Sequence, residues 1–241
     1  MGPAIGWCAA QDAAAHTFVN SLDDAVSIDG AEGHHLQRVR RLRVGEHVTA
    51  ADGSGIWRRY EIVAIDSGRL RLESRGERTN EPVRVPEVAL AVALTKAGAL
   101  DTVVARCTEL GVARITPVRT RRSVVRWDAA RAERAVERLR TVAREAAGQC
   151  RRARLPEIGA VAPLADFAGR ADVLVADRAG GSVRDLRSPG SGTWTVVVGP
   201  EGGLDDVEIE TFDNAARLSL GPHILRSETA PIAAVAILLN R

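Results

Sequence analysis

The chain has 241 residues, 45% of them hydrophobic and 27% charged, and carries a formal net charge of +2; this suits a globular protein of one large or two modest domains, and two are expected. The longest apolar stretches, such as 230–239, reach about half of the ~20 residues that a membrane span requires, and the start MGPAIGWCAAQD, with no basic segment and with Trp7 before Cys8, argues against a secretory signal. Cys8, Cys107 and Cys150 form no C-x-x-C pair, which disfavours a disulfide framework or zinc site and suggests a reduced, cytoplasmic compartment.

From 24 to 74 the pattern is that of a small β domain. EHVTAADGSGIWRRYEIVAI reads as a hairpin turning at 52–55, and Asp66-Ser67-Gly68 turns the chain again into RLRLES. One helix is expected over 32–42, with Leu36, Val39 and Leu42 on one face and Arg38 and Arg41 on another. The polar, proline-bearing stretch 76–86 reads as a linker between a domain at 1–75 and one at 87–241.

Beyond it strands and helices alternate. VALAVAL (88–94), ARITPV (113–118), DVLVAD (172–177), TWTVVV (193–198) and ARLSL (216–220) are apolar enough to be buried on both faces, and 100–111 and 128–147 have helical spacing. That combination is the signature of a mostly parallel sheet flanked by helices. The terminal IAAVAILL is apolar nearly all round, so a core or, preferably, a subunit interface should cover it.

Of the 33 Lys and Arg residues, all but Lys96 are Arg, and 119–154 holds twelve Arg against four acids. With Arg38, Arg40, Arg41 and Arg43 upstream, two basic clusters stand in an otherwise balanced chain, the footprint of a polyanion. Aromatics are only 3%, which disfavours a base-stacking platform.

Two strand-to-helix connections carry Gly-Pro: VVVGPEGG (196–203) and LSLGPHILRSET (218–229). Ligands of open α/β sheets bind beyond the carboxyl ends of the strands. Neither loop is a dinucleotide fingerprint or a P-loop, and Glu201 would repel a phosphate, so a ligand with hydroxyls, an amine or a positive centre fits better. The plain alternative is a strand-to-helix turn in which Asp205 caps and Glu208 completes a capping box. At the second loop a cap at Thr229 or Ala230 would put Pro231 in the first helical turn, leaving Arg226 and Glu228 on extended chain as a displayed charged pair.

Taken together, VVVGPEGGLDDVEIE and LSLGPHILRSETA, with LTKAGALDTVVARCTELGV upstream and QCRRARLPEI between, resemble the bacterial ribosomal RNA small subunit methyltransferase E family, and DGAEGHHLQRVRRLRVGEHVTAADGSG is similar to that family's N-terminal part. The resemblance covers nearly the whole chain. It implies a PUA-like RNA-binding β-barrel, an α/β domain of the SPOUT type with a deep trefoil knot, a homodimer, and methylation of N3 of one 16S rRNA uridine with S-adenosylmethionine. It places Leu94, Thr95, Gly199, Glu201, Gly202, Gly203, Leu220, Gly221, Ile224, Leu225 and Ser227 around the cofactor. Where the family often has an acidic residue and Ser-Gly-Arg, this chain reads Gly148-Gln149-Cys150-Arg151-Arg152, and Pro231 replaces a small residue or Thr.

For such a reaction Arg226 or Arg152 would stabilise the uridine anion, and Glu228 would act as base or orient Arg226. RNA phosphates would meet Arg38, Arg41, Arg43, Arg121, Arg122, Arg151, Arg152 and Arg154. No metal and no covalent nucleophile are expected. Two other readings remain open: a related SPOUT enzyme acting on tRNA or a ribose 2′-hydroxyl, and a non-catalytic RNA-binding assembly factor.

Overall fold

The computed structural model describes residues 12–38, 40–95 and 98–241. Expectations resting on Trp7, Cys8, Val39 and Lys96 lie outside the described residues. The chain divides into two compact units, 1–83 with 147–155, and 84–146 with 156–241.

The first unit is built from β1 (Ala15–Phe18), β2 (Ala25–Ile28), α1 (Gly30–Arg38), β3 (His47–Ala51), β4 (Ile56–Asp66), β5 (Arg69–Ser74) and β6 (Thr79–Asn80). Its sheet runs β1-β3-β4-β5-β2, with β6 beside β4. Both expected turns are present, at 52–55 between β3 and β4 and at 67–68 between β4 and β5. Alternate residues Val48, Ala50, Tyr60, Ile62, Leu70 and Leu72 point inward with Leu36 and Leu42 to form its core. The helix starts two residues before and ends four residues before the expected limits of 32 and 42. Arg41 adopts φ 55, a left-handed conformation that cannot continue a helix. Leu42 still reaches the core from the following turn, through its N–H to the Leu36 carbonyl at 3.3 Å.

The second unit comprises β7 (Glu87–Ala93), α2 (Ala99–Leu110), β8 (Arg114–Arg119), most of α3 (Ala129–Cys150), β9 (Glu157–Ile158), β10 (Ala162–Pro163), β11 (Val173–Gly181), β12 (Thr193–Val198), α4 (Asp206–Glu210), β13 (Ala216–Leu218) and α5 (Thr229–Leu239). The strands order as β10-β8-β7-β12-β11-β13, with β9 on β8, and every pairing is parallel. Alternation along each strand divides the apolar side chains between two faces. Val88, Leu90 and Val92 of β7, Trp194, Val196 and Val198 of β12 and Leu174 of β11 meet α2, α3 and α5. Ala91, Val197, Val173 and Val175 meet Leu204, Phe212 and the 3-10 turn Leu164–Phe167 on the other side. Truncating a central residue such as Leu90 (1% exposed) to Ala would cost about 2–5 kcal/mol.

This layering positions the site. The neighbouring strands β7 and β12 send their following helices to opposite faces, α2 to the first and α4 to the second. Their carboxyl ends therefore form a topological switch point, the place where open α/β sheets bind ligands.

His16 of β1 is buried in the first unit, with Nδ1 2.8 Å from Thr49 Oγ1 and its ring edge-on to Phe18. Burial, then the nearby Arg151 charge, pull its pKa down to about 4. The folded state therefore holds this ring neutral, whereas the unfolded chain protonates it near pH 6.5. Its contribution is complete above about pH 6.5 and is lost as pH falls towards 4. Urea unfolding of the wild type should accordingly lose about 2 kcal/mol more between pH 7 and pH 5 than unfolding of His16→Gln; equal losses in both proteins would contradict this.

Candidate active site

The GPEGG loop leaves β12 at Gly199 and closes a tight turn through the Gly203 N–H to the Pro200 carbonyl at 2.8 Å. A side chain at Gly199 would put Cβ 3.2 Å from the Leu204 nitrogen and 3.3 Å from the Gly203 carbonyl carbon, so the turn closes over a position that only hydrogen fits without displacement. Asp205 then caps α4 as expected: its Oδ1 accepts the Glu208 N–H at 2.7 Å, and Glu208 Oε2 accepts the Asp205 N–H at 3.0 Å. The turn reading and the ligand reading of this segment are therefore compatible, since the box is built from 205 and 208 and leaves 199–203 available.

A strap after β8 holds this arrangement in place. Glu208 Oε1 accepts the Arg121 N–H at 2.7 Å, and the Arg121 guanidinium lies 3.5 Å from Asp205. Arg122 donates to the carbonyls of Gly202 at 3.0 Å and Leu204 at 3.2 Å. Neither guanidinium reaches outward unengaged; each secures the loop or its helix. Nothing in the sequence distinguished these two arginines from their neighbours.

A side-chain hydrogen bond joins the second loop to the first. Ser227 Oγ donates to Glu201 Oε1 at 2.8 Å, and Ser227 is buried although Glu201 is exposed. The two Gly-Pro turns thus share one surface. Pairing of Val198 with Val92 sets Gly199 beside the end of β7, which continues into Leu94 and Thr95. Leu94 is buried, and Thr95 is 4% exposed with an Oγ1 that has no hydrogen-bond partner among the described residues. A buried, unpaired hydroxyl costs free energy unless something meets it. Around the rim, Gly202, Gly203 and Gly221 are exposed, Leu220 and Leu225 are half-buried, and Ile224 is 79% exposed.

Arg226 is exposed, and its side chain has no ion pair among the described residues. Its carbonyl accepts the N–H groups of Thr229 and Ala230 at 2.9 and 3.0 Å, which fixes the backbone that carries the guanidinium. Glu228 has helical φ and ψ and itself occupies the N-cap of α5 without a side-chain cap bond. The cap is one residue earlier than expected, because the turn begins at Ser227, and Pro231 falls third in the helix where its missing N–H would have no partner anyway. Arg226 is exposed and Glu228 half-buried, and no salt bridge joins them among the described residues.

β11, which lies between β12 and β13 in the sheet, is longer than the sequence pattern predicts. The expected strand stops at 177, whereas β11 runs to Gly181, its carbonyl taking the Ser219 N–H at 2.9 Å. A Cβ on Gly180 would lie 2.7 Å from the Arg217 and Leu218 backbone, so DRAGG is a third glycine segment at this edge, alongside the second loop. Asp177 pairs with Arg217 at 2.8 Å, and the Ala179 N–H, followed by Arg217, holds its carboxyl below the usual range. The Gly-Gly pair after an apolar run was the available signal.

The remaining sequence candidates belong to the first unit. Arg38, Arg41 and Arg43 are exposed. Arg151 is half-buried with φ 62, and Arg152 is 9% exposed and faces Glu81, whose carboxyl feels its charge. Arg154 donates its backbone N–H to Glu81 at 2.7 Å and lays its guanidinium where a Gly55 side chain would go. Burial in the second unit pushes the Cys107 thiol up to about 12, which removes it as a nucleophile at neutral pH. Among the described residues no group of three or more His, Cys, Asp or Glu could hold a metal ion.

A parallel sheet with paired glycine loops at its switch point, joined in one chain to a small β unit, defines the chain as an RNA methyltransferase: residues 81–239 match the RNA methyltransferase domain family and residues 28–73 the RNA methyltransferase PUA domain family. A ribosomal RNA small subunit methyltransferase E from Mycobacterium bovis is 33% identical over 93% of this chain and 92% of its own, and one from Bacillus subtilis is 29% identical over 87% of each. The chain belongs to the ribosomal RNA small subunit methyltransferase E family. Among solved structures, a putative methyltransferase from Legionella pneumophila in complex with SAM superposes with a TM-score of 0.82 at 25% identity, covering 93% of this chain and 96% of that one. A Neisseria gonorrhoeae ribosomal RNA small subunit methyltransferase E bound to S-adenosyl methionine gives 0.78 at 25%, covering 92% and 95%.

Replacing Arg122 with Met keeps its stem but removes both carbonyl contacts. Amide hydrogen exchange across 199–206 should then quicken by at least about threefold, given roughly 1 kcal/mol for such contacts, while Arg38→Met leaves the same amides unchanged. Unaltered exchange in Arg122→Met would show that the strap does not hold the loop.

Proposed function

We propose that this enzyme transfers the methyl group of S-adenosylmethionine to N3 of one uridine in 16S ribosomal RNA. The observation that carries the reading is the Ser227–Glu201 hydrogen bond, which unites two glycine turns beside the unpaired Thr95 hydroxyl. The relatives' names and the SAM-bound neighbours point the same way.

The residues fit the cofactor. Leu94, Thr95, Gly199, Gly202, Gly203, Leu220, Gly221 and Leu225 would surround it with backbone groups, one hydroxyl and apolar walls, and Ile224 supplies an exposed apolar cover that a ligand would bury. Glu201, steadied by Ser227, offers negative charge to a cationic ligand. When bound, the cofactor supplies an electrophilic methyl group on a sulfonium.

The chain's own task is to position the uridine in line with that methyl, exclude water and manage one proton. N3 of uridine is weakly acidic and must lose its hydrogen as the N–C bond forms, so negative charge develops on the ring and its carbonyl oxygens. Arg226, exposed, without an ion pair and held by its own backbone contacts, is the group assigned to that charge. Glu228, two residues on and not engaged in capping, would accept the proton. Arg152 is the weaker candidate, because its buried guanidinium already faces Glu81.

In the same reading the loops are threaded as a SPOUT trefoil knot, and the enzyme works in the cytoplasm as a homodimer. The dimer contact is assigned to α5, whose Pro231, Ala234, Val235, Leu238 and Leu239 are buried while the equally apolar Ile232, Ala233, Ala236 and Ile237 are only half-buried. The exposed Arg38, Arg41 and Arg43 of the PUA domain would meet RNA phosphates.

Arg226→Ala should lower methyl transfer at least about a hundredfold, the scale of one lost transition-state contact, while S-adenosylmethionine affinity by calorimetry stays within about tenfold. Nucleoside mass spectrometry of 16S rRNA incubated with each protein reads the product: 3-methyluridine from the wild type alone is expected. Another methylated nucleoside would contradict the N3 assignment, and wild-type turnover by the variant would remove Arg226 from the mechanism.

A further inference from the structure

Within the second unit a cavity of about 570 Å³ lies between the strap after β8, the 3-10 turn at Leu164–Phe167 and α4. Its walls are of two kinds. Trp127, Leu164 and Val207 give it an apolar interior, and Arg119, Arg121 and Arg126 stand around it. Arg121 is engaged by Asp205, and the Glu208 carboxylate that also lines the space is engaged at both oxygens, by the Arg121 and Asp205 N–H groups. Arg119 and Arg126 are different: both are exposed, and neither side chain has a partner among the described residues. Trp127 is half-buried, packed on the main core on one side and lining the cavity on the other.

We infer that this cavity is a docking site for one nucleotide of the RNA substrate, separate from the methyl-transfer loops. The inference rests on the proposed RNA methylation. The volume lies inside the usual 300–1,000 Å³ range of small-ligand sites. An indole wall suits a base, which stacks on it regardless of sequence, and two unengaged guanidinium groups suit the attached phosphates. A purely apolar partner would leave both cations facing apolar surface. One Trp does not make the extended stacking platform that the scarcity of aromatics disfavours; it makes a single base position. The site also adjoins the chemistry, because Arg122 of the same strap holds the Gly202 and Leu204 carbonyls.

Filter binding of a 16S rRNA transcript to the full chain across a salt series tests this. Arg119→Gln and Arg126→Gln should each weaken binding severalfold and reduce the salt slope by about 0.7–0.9, the value for one phosphate contact. Trp127→Ala should weaken binding by roughly 5- to 100-fold with the slope unchanged, and Trp127→Phe should restore most of the loss. S-adenosylmethionine affinity, measured by calorimetry, should stay at the wild-type value in the arginine variants, which report even if Trp127→Ala fails to fold. RNA affinity within twofold of wild type in both arginine variants would overturn the inference. So would a change of sedimentation coefficient with RNA binding intact, since the groove would then serve a protein contact. If the wild type forms no 3-methyluridine yet the variants lose RNA affinity as stated, the docking site stands and the assigned reaction falls.

Discussion

The site depends first on one hydrogen bond among the described residues, from Ser227 to Glu201, because it links two turns that stand 26 residues apart in the chain. Parallel pairing brings the carboxyl ends of β7, β12, β11 and β13 to one edge, but pairing alone does not decide how far the following loops lean together. The Ser227–Glu201 bond contributes to that at modest energy: a net hydrogen bond adds about 1 kcal/mol, or more with a charged acceptor. Its larger consequence is to aim a carboxylate. Ser227 fixes one oxygen of the Glu201 carboxylate, and in the proposed reading that negative charge favours a cationic ligand over a phosphate.

Around that contact the arginines divide into two populations. Arg121, Arg122, Arg152 and Arg154 have partners within the chain: a capped helix, two loop carbonyls, Glu81 and a glycine turn respectively. Arg38, Arg41, Arg43, Arg119, Arg126 and Arg226 are exposed and unengaged among the described residues. The second population could meet an RNA without giving up a side-chain contact seen among the described residues. The excess of Arg over Lys serves the first group directly, since a planar fork can satisfy two carbonyls at once, as Arg122 does.

The sequence made some of this legible. Continuous apolar runs such as TWTVVV announced doubly buried strands, and β12 occupies that stretch without change. Asp205 and Glu208 announced their capping box because the motif is local. The pairing of β1 with β3 was hidden, since its parallel partner lies about thirty residues on and no turn marks it. The end of α1 depended on one non-glycine residue entering a left-handed conformation. The two Gly-Pro turns read from patterning lie at one edge of the sheet, whereas Arg122 could not be singled out: its role follows from carbonyls 80 and 82 residues away. The cofactor and the reaction came from resemblance, which periodicity alone could not have supplied.

The central claim, that the two glycine turns act as one cradle for a methyl donor, is tested most directly by following backbone amide resonances during titration with S-adenosylmethionine. The account predicts that amides of 199–203 and 219–227 shift together, with one dissociation constant, and that Thr95 moves with them. Shifts confined to one turn, or two separate affinities for the two turns, would contradict it.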